Sequence, residues 1–314
     1  MKIMFAAPEN AWGGFLSLLQ AEIPEHQCEA TGEFRVASLK DVDVLIPTMC
    51  RITSDMLAQS RRLRLIQQCG SGLEGVDIKA ARLKSIRVAN VPTDISGNAD
   101  SVAELGIYFI IGLSRHVRRL EISLQQCRMG EPQGRALNGQ TIGIIGLGGI
   151  GRALIKRLHP FGVRLLGLKQ HHPEKARSEL GLDWVGGPDD LKTLLENSDH
   201  VVLCLPVTTE SENMINAEAF GMMKKNAFLI NLSRGGLVNR DALKNALADG
   251  QIAGAGLDVF WEEPPEPDDP VFHYNVMATP HIGGSTDVSM KGIVRVVAEN
   301  IRRISSGRLP LYLQ

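Results

Sequence analysis

Three apolar segments in the second half of the chain lead into residues that can bind an anion or transfer a proton. In chain order, these residues are Arg234, Glu263 and His281. The segments before them, interpreted as strands, are Ala227–Leu232, Gly254–Phe260 and Val276–Thr279. Ligands of a doubly wound sheet lie outside the carboxyl ends of its strands, so we expect all three residues to face one crevice. Taken singly, the arginine could equally be a surface cation and the histidine a turn or core residue.

As a set, these residues suit the reduction of a carbonyl that lies beside a carboxylate. Arg234 offers a planar guanidinium that can hold the carboxylate and polarise the carbonyl. His281 suits proton donation to the forming alkoxide, because a neighbouring carboxylate can raise a histidine pKa from its unperturbed value of about 6.5. Glu263 is the candidate for that carboxylate. Asp258 is interpreted as the acceptor that would face the carboxamide of a nicotinamide ring.

A glycine-rich turn connects a predicted strand to a predicted helix in the middle of the chain. The turn, GLGGIG, follows the apolar segment Thr141–Ile145 and contains Gly146, Gly148, Gly149 and Gly151. The first glycine permits a tight turn, the second lets a pyrophosphate approach the backbone, and the last lets helix and strand pack closely. The helix N-terminus then offers free N–H groups and a positive dipole to phosphate. Strand, turn, helix and next strand occur in the required order, so the motif predicts a dinucleotide site.

The residue expected to choose between NAD and NADP departs from the usual pattern. Dinucleotide-binding folds carry an acid about 20 residues after the glycine motif, which binds the ribose 2′-hydroxyl and repels a 2′-phosphate. This chain has Lys169, then a glutamine and two histidines, and no acid until Glu174. We therefore predict that NADP(H) is accepted and slightly favoured over NAD(H). The alternative is that Lys169 is only a solvated residue at a strand end and that other contacts hold NAD.

The elements that position these residues alternate between strand-like and helix-like segments. In the first third of the chain this alternation predicts parallel βαβ units. A polar segment, Asp94–Asp100, is interpreted as a hinge, and a long helical pattern runs from about Ser101 to Gln126. A second α/β series then begins at Thr141. The long helix is too apolar for a free surface, because it carries Ile107, Phe109, Ile110, Ile111 and Leu113.

Composition excludes several function classes. The formal net charge is −1, from 34 Lys and Arg against 35 Asp and Glu, which gives no electrostatic case for nucleic acid or an anionic membrane. The longest apolar stretch has nine residues, too short to cross a bilayer. Five scattered cysteines without a C-x-x-C pair favour the reducing cytoplasm. We expect no metal site.

Four motifs closely resemble those of the D-isomer-specific 2-hydroxyacid dehydrogenase family. The motifs are GLGGIG, INLSRGGLV, GLDVFWEEP and ATPHIGG, and the likeness spans nearly the whole chain. The resemblance implies that Arg234 binds the substrate and that Glu263 and His281 form the proton-donor pair. It also implies a loop whose backbone amides hold the substrate carboxylate, with the residues Ser71, Gly72 and Leu73.

The resemblance further implies cofactor contacts and a partner. Contacts made mainly through the backbone are implied for Ile150, Leu205 and Ser233. Val102 falls at the start of the helix that lies beside the nicotinamide in this family, and Gly283 falls in the glycine pair after the histidine, which should face the same cleft. The apolar helix from Ser101 is either an interdomain core helix or part of a homodimer interface in the nucleotide-binding domain, and the two roles are compatible.

These observations predict an α/β protein of two domains. The first is a Rossmann-type doubly wound parallel sheet domain that binds the dinucleotide, over residues 98–285. The second is a smaller, flavodoxin-like α/β substrate domain, discontinuous over residues 1–97 and 286–314. The two domains account for all 314 residues, so we expect no appended regulatory domain. The expected activity is hydride transfer between NAD(P)H and a small 2-oxo acid, with glyoxylate or hydroxypyruvate as first candidates.

Three other functions stay open at this point. A phosphoglycerate dehydrogenase-like enzyme without a regulatory domain is less favoured, because such family members usually carry an Arg-Ser pair where this chain has Thr48 and Met49. A dehydrogenase of formate or phosphite is another alternative, although formate enzymes typically carry glutamine at the position of Glu263. A nucleotide-sensing protein similar to corepressors that resemble this family is the third, and retention of all three catalytic residues argues against it.

Overall fold

Two parallel β-sheets organise the chain, one in each of two units, in the computed structural model that describes residues 1–314. The first unit comprises Met1–Ser101 and Gly284–Gln314, and the second comprises Val102–Gly283. Both sheets are parallel throughout, so the α/β class predicted from the alternating segments is confirmed. The divisions fall after Ser101 and Gly283, against the predicted boundaries after residues 97 and 285.

The first unit contains a sheet of five short strands. They are β1 (Lys2–Phe5), β2 (Gln27–Ala30), β3 (Val44–Ile46), β4 (Leu65–Gln67) and β5 (Arg87–Ala89). Their order is β2-β1-β3-β4-β5, which is the flavodoxin-like order that the sequence predicts. The helices between them are α1 (Ala11–Glu22), α2 (Ser54–Gln59) and α3 (Ile78–Leu83). The central strands β3 and β4 are fully buried because helices cover both faces of a parallel sheet.

The second unit contains a sheet of seven strands. They are β6 (Thr141–Ile145), β7 (Arg164–Leu168), β8 (Trp184–Gly186), β9 (His200–Leu203), β10 (Phe228–Asn231), β11 (Gly254–Leu257) and β12 (Val276–Ala278). The order is β12-β11-β10-β9-β6-β7-β8. If β6 is numbered as the first strand, the order is that of a Rossmann fold with one additional strand at the edge formed by β12. The Rossmann-type sheet predicted from the sequence is confirmed. The strand order reverses between β6 and β9, where such a sheet opens its ligand crevice.

The prediction of one long helix over 101–126 is wrong. The chain forms α4 (Asn98–Ser114) and α5 (Val117–Gln125), separated at His116, which has a left-handed φ of 53°. The carbonyl of Ser114, the last residue of α4, accepts from the N–H of Arg135 at 2.8 Å, which satisfies an acceptor left open at the helix end. The remaining helices of the unit are α6 (Gly149–Leu158), α7 (Pro173–Leu180), α8 (Leu191–Asn197), α9 (Ala217–Met222) and α10 (Arg240–Ala248).

The chain ends with helix α11 (Asp287–Ser305), which completes the first unit. Its apolar face is buried in the same core as β1, through Ile293, Val297 and Ile301. Thr286 caps its N-terminus by accepting from the N–H of Ser289 at 3.2 Å. None of the helices combines the length and apolarity needed to span a membrane.

Candidate active site

The glycine-rich turn lies between β6 and α6, beside the point where the strand order reverses. Gly146 has a φ of 99°, a conformation that side chains disfavour. A Cβ atom on Gly151 would lie 2.2 Å from the carbonyl oxygen of Gly146, so only glycine lets the helix pack on the turn. A Cβ atom on Gly148 would meet nothing within 4 Å, so the backbone is open on this side. Each glycine therefore has the environment that its predicted task requires.

The turn fits the pyrophosphate of a dinucleotide. Gly148 is the N-cap of α6 and has no side chain to accept from the first-turn amides, including those of Gly149 and Ile150. Uncapped N–H groups at a helix N-terminus carry partial positive charge and bind phosphate oxygens. The open side of Gly148 gives such a ligand access to them. The residues present therefore fit the cofactor that the motif predicts.

The end of β7 carries a cation and no carboxylate. Lys169 directly follows the strand, is partly buried, and donates its backbone N–H to the carbonyl of Gly186 at 3.0 Å. The next residues, Gln170, His171 and His172, are exposed. Glu174, the first acid, lies in the first turn of α7 and is also exposed. The position where a carboxylate would bind the ribose of NAD is thus occupied by a lysine.

His281 and Glu263 form a hydrogen-bonded pair at the carboxyl edge of the same sheet. The Nδ1 atom of His281 lies 2.7 Å from Oε2 of Glu263. The other carboxylate oxygen, Oε1, accepts from the backbone N–H of Phe260 at 3.0 Å. The Glu263 side chain is 19% exposed and the histidine side chain 38% exposed, so the ring keeps access to solvent while the carboxylate is largely enclosed.

The ionisation of Glu263 determines how the pair works. Burial raises the pKa of this carboxyl, but the hydrogen bond and charge of His281, the N–H of Phe260 and the charge of Arg234 outweigh it, so the pKa lies below its ordinary value. Glu263 is therefore ionised at neutral pH and can only accept hydrogen bonds. Nδ1 of His281 must then carry the proton of the pair, which leaves the opposite nitrogen, Nε2, available to a further partner.

Asp258 holds the loop that presents His281. Its Oδ1 accepts from the hydroxyl of Thr279 at 2.7 Å and from the N–H of Ile282 at 2.8 Å, and its Oδ2 accepts from the N–H of Gly283 at 2.9 Å. Asp258 is only 2% exposed, and burial raises its pKa although these bonds and His281 oppose the shift. The bonds fix a strained loop, because His281 has a left-handed φ of 54°. The predicted contact of Asp258 with a nicotinamide remains a prediction.

Arg234 lies in a tight turn after β10. The side chain of Asn231 closes this turn by accepting from the N–H of Ser233 at 3.1 Å and donating to the carbonyl of Arg234 at 2.8 Å. The guanidinium donates to the carbonyl of Ser233 at 2.7 Å and is near enough to lower the pKa of Glu263. The turn is packed against the loop that follows β11, since a Cβ atom on Gly235 would lie 2.0 Å from the carbonyl oxygen of Phe260.

The remaining predicted residues of the second unit are neighbours of these groups. Leu205 is next to the glycine turn, because a Cβ atom on Gly146 would lie 2.8 Å from its side chain. The hydroxyl of Ser233 donates to the carbonyl of Leu205, which joins the turn of Arg234 to the glycine motif. Val102 is next to the histidine loop, because its side chain would lie 3.2 Å from a Cβ atom on Gly283. One edge of the sheet thus brings together the predicted cofactor and catalytic positions of this unit.

The predicted substrate loop belongs to the first unit. It follows β4, and the side chain of Asn90 donates to the carbonyl of Ser71 at 2.9 Å. Leu73 begins the next turn, because its carbonyl accepts from the N–H of Val76 at 2.9 Å. Gly72, between them, is partly exposed. Binding of a substrate carboxylate by this loop remains a prediction.

The family model described as D-isomer specific 2-hydroxyacid dehydrogenase, NAD binding domain, matches residues 107–283. This range contains the glycine turn as well as Arg234, Glu263 and His281. A glyoxylate reductase of Thermococcus kodakarensis is 33% identical over 97% of this chain and 92% of its own length. The chain belongs to the D-isomer-specific 2-hydroxyacid dehydrogenase family.

Other members of this 2-hydroxyacid dehydrogenase family match over different shares of their length. A hydroxypyruvate reductase of Thermotoga maritima is 33% identical over 84% of this chain and 85% of its own length. A D-3-phosphoglycerate dehydrogenase of Methanocaldococcus jannaschii is 35% identical over 89% of this chain, which spans only 53% of that relative. An NADPH-dependent glyoxylate/hydroxypyruvate reductase of Sinorhizobium meliloti, solved with NADP and malonate, superposes with a TM-score of 0.84 at 26% identity, covering 100% of this chain and 96% of that one.

Family membership makes the chain an NAD(P)-dependent oxidoreductase that acts on CH–OH donors and reduces 2-oxo acids. The resemblance stated from the four motifs is thereby confirmed. No group of three or more His, Cys, Asp or Glu side chains in this dehydrogenase is arranged to hold a metal ion.

Sequence reasoning missed residues that shape the site without reacting. Asn231 and Thr279 close the turns of Arg234 and His281. The available signal was a polar residue at the end of an otherwise apolar, buried strand. Trp261 also lies near the site, and its indole Nε1 donates to the carbonyl of Val238 at 2.6 Å.

Proposed function

We propose that this dehydrogenase reduces a small 2-oxo acid, with glyoxylate and hydroxypyruvate as the first substrates to test. The observation that carries the proposal is the 2.7 Å pairing of His281 with an ionised Glu263 next to Arg234. The names of relatives support it, since glyoxylate and hydroxypyruvate reductases match at 33% identity.

In this proposal, Arg234, His281 and Glu263 divide the work on the substrate. The guanidinium of Arg234 binds the carboxylate and polarises the neighbouring carbonyl. When bound, the reduced nicotinamide supplies the hydride. Nε2 of His281 gives its proton to the developing alkoxide, and Glu263 stabilises the charged ring before that step. General acid catalysis of this kind contributes roughly 10²–10⁴-fold to a rate.

We further propose that the backbone amides of the loop Ser71–Leu73 bind the substrate carboxylate. A small neutral side chain on the substrate is favoured, because Thr48 and Met49 follow β3 in place of the arginine expected for a phosphorylated acid. Thr48 is held by its hydroxyl, which donates to the carbonyl of Ala6 at 2.6 Å. A phosphorylated substrate should therefore be used less well than its unphosphorylated counterpart.

For the cofactor, we propose that both nucleotides are used and that NADPH is slightly preferred. Lys169 at the end of β7 can attract a 2′-phosphate, and no carboxylate there would repel one. Glycine-turn residues Gly146–Gly151 would hold the pyrophosphate, and Asp258 would meet the carboxamide. Comparing kcat/KM for NADPH and NADH tests the preference, which a strong advantage for NADH would exclude.

We also propose a cytoplasmic homodimer formed through the nucleotide-binding unit. Tyr108 and Ile111 on α4 are 51% and 37% exposed although their helix neighbours are buried. On α5, Ile122 and Leu124 are 51% and 69% exposed, and no residue of this helix is buried. An apolar surface of this kind favours a second copy as its partner. Light scattering should give twice the mass of the chain, and free thiols at all five cysteines suit a reducing compartment.

The activity is tested with a panel of acids and both nucleotides. Oxidation of NADPH should proceed with glyoxylate or hydroxypyruvate, and His281→Ala should abolish it while the exposed His273→Ala does not. Formate and phosphite, tested in the oxidative direction, should give no turnover. Nucleotide binding without turnover of any substrate would instead favour a sensing protein, and would overturn the proposal.

A further inference from the structure

The carboxylate of Glu263 lies on a segment with few contacts of its own. We call the segment Trp261–Asp269 the Glu263 loop. Its residues between the two ends are mostly exposed, and only its last residue, Asp269, is buried. The position of Glu263 toward His281 therefore depends on how the two ends of the loop are fixed.

A single side chain, Arg240, contacts both ends. Arg240 is the first residue of α10, and its guanidinium donates to Oδ2 of Asp269 at 2.7 Å. Its Cζ atom also lies 5.8 Å from the centre of the Trp261 ring, within the range of a cation–π contact. A planar cation can make both contacts at once, because its edge binds the carboxylate while its face meets the ring.

Both partners of Arg240 are themselves anchored in the second unit. Asp269 is 6% exposed, and its other oxygen, Oδ1, caps a short helical turn by accepting from the N–H of Val271 at 2.9 Å. Trp261 donates from its indole to the carbonyl of Val238, which is 1% exposed. Asp269 in addition needs a partner because it is a buried carboxylate. Arg240 thus closes the Glu263 loop by linking its two ends, each of which is itself held in place by another bond.

A short path connects this closure to the catalytic pair. Phe260 precedes Trp261, and its N–H donates to Oε1 of Glu263, whose Oε2 binds Nδ1 of His281. Movement of the Trp261 end therefore changes both bonds of the Glu263 carboxylate. We propose that Arg240 is a positioning residue for the Glu263–His281 pair and acts by closing the Glu263 loop. Only the effect on turnover rests on the proposed function, because the pairing itself exists without a substrate.

The first test measures the pair directly, without turnover. The ring of His281 is followed by NMR in protein labelled at its eight histidines, with His281→Ala for assignment. In Arg240→Ala, the midpoint of the His281 titration should move to lower pH, toward that of Glu263→Gln, because a displaced carboxylate stabilises the charged ring less. Arg240→Lys should recover only part of the shift, since lysine keeps the charge but lacks the planar face.

The second test measures catalysis in the same variants. Arg240→Ala should lower kcat/KM for the 2-oxo acid about tenfold, a part of the roughly 10²–10⁴-fold that general acid catalysis supplies. The basic limb of its pH profile should shift to lower pH, while the Kd of NADPH stays unchanged. A residue that only stabilises the fold would change neither the limb of the profile nor the histidine titration in protein that remains folded.

Lys244→Ala is the matched control, because Lys244 lies on the same helix and pairs with Asp241 at 3.4 Å, away from the loop. It should leave the titration and the pH profile as in the wild type. If Arg240→Ala does not fold, Arg240→Lys and Trp261→Phe provide the same comparison. An unchanged His281 titration in folded Arg240 variants, with a shift in Glu263→Gln, would overturn the inference. The wild type could instead show no turnover while the His281 titration still depends on Arg240. That result would refute the proposed function and leave the positioning role of Arg240 intact.

Discussion

Glu263 uses both oxygens of its carboxylate, one toward the backbone and one toward the ring of His281. The N–H of Phe260 fixes Oε1, so Oε2 is the atom left to meet Nδ1 of His281. The low pKa of this carboxyl keeps it an acceptor across the neutral range. A glutamine of the same shape can satisfy the backbone N–H, but it then turns an N–H₂ group toward the histidine nitrogen.

We therefore expect Glu263→Gln to lower kcat/KM for reduction about 100-fold, within the range of general acid catalysis. As the pH rises, the variant should lose activity at a lower pH than the wild type does, because the charged histidine ring has lost its counter-charge. The measurement is kcat/KM against pH with a saturating nucleotide. Glu262→Gln, a neighbouring exposed carboxylate, is the control. Equal profiles for both variants would contradict the role given to Glu263.

Lys169 is the residue at the end of β7 that bears on the choice of nucleotide. Lys169→Asp restores a carboxylate at the end of β7, which can bind the ribose hydroxyls of NAD and repel the 2′-phosphate of NADP. The ratio of kcat/KM for NADPH to that for NADH should fall at least tenfold, as expected for the loss of one charge pair worth about 1.4 kcal/mol or more. Lys175→Asp, at an exposed site on α7, should leave the ratio unchanged. A ratio unaffected by Lys169→Asp would show that other contacts select the nucleotide.

The candidate catalytic residues could be selected from the sequence because each one follows a recognisable strand and has a side chain suited to the chemistry. The residues that hold them could not. Asp258 is a plausible cofactor ligand by type, but its bonds to Thr279, Ile282 and Gly283 depend on how the loop after β12 folds back. The pairing of Arg240 with Asp269 spans a stretch of chain that no local pattern connects.

At the scale of elements, the close packing of two loops sets the site. Gly235, after β10, lies against the backbone of Phe260, after β11, with a space too small for a Cβ atom. We expect Gly235→Ala to destabilise the protein by about 1–3 kcal/mol, the usual cost of overpacking. It should also lower kcat/KM, because Arg234 and Glu263 lie on the two loops that are pushed apart.

Gly236→Ala is the matched control, because a Cβ atom there would meet only Val207 at 3.6 Å, an ordinary contact. Its free energy of unfolding should stay within about 0.5 kcal/mol of the wild type. Urea unfolding and steady-state kinetics of both variants make the comparison. Similar losses in both would mean that general flexibility of the turn, and not the contact with Phe260, limits the site.

Element prediction succeeded where strands are apolar, and it missed two strands at sheet edges. β6 has the predicted bounds, whereas β2 and β8 were not predicted. Both strands lie at sheet edges. β2 has the sequence QCEA and β8 has only three residues, and neither needs a long apolar run because one side of an edge strand is unpaired. The break at His116 was missed because the apolar spacing continues across it.

On the scale of the whole molecule, a buried histidine lies at the end of the second sheet opposite to the candidate site. His200 begins β9 and is 0% exposed. Its Nε2 lies 2.9 Å from Oε1 of Gln140 and 3.2 Å from the hydroxyl of Ser114, while its Nδ1 has no hydrogen-bond partner. Burial, reinforced by the charge of Arg135, lowers the pKa of His200 to about 4, although the nearby Asp199 opposes the shift.

This depressed pKa predicts acid sensitivity of the fold. The unfolded chain takes up the proton near the ordinary histidine pKa of about 6.5, and the folded chain only near 4, so stability is lost as the pH falls through this window. Between pH 7 and pH 5 the loss should be about 2 kcal/mol. Asp199 has a lowered pKa and acts in the same direction, but only below the ordinary pKa of an aspartate.

Urea unfolding of the second unit at pH 7 and pH 5 measures this dependence, with an intrinsic probe in that unit such as Trp261. His200→Gln removes the titrating group and should reduce the difference between the two pH values, even though it costs stability at pH 7 by changing a buried network. The exposed His273→Gln should retain the full difference. A His200→Gln protein that is still about 2 kcal/mol less stable at pH 5 than at pH 7 would assign the acid sensitivity to other groups.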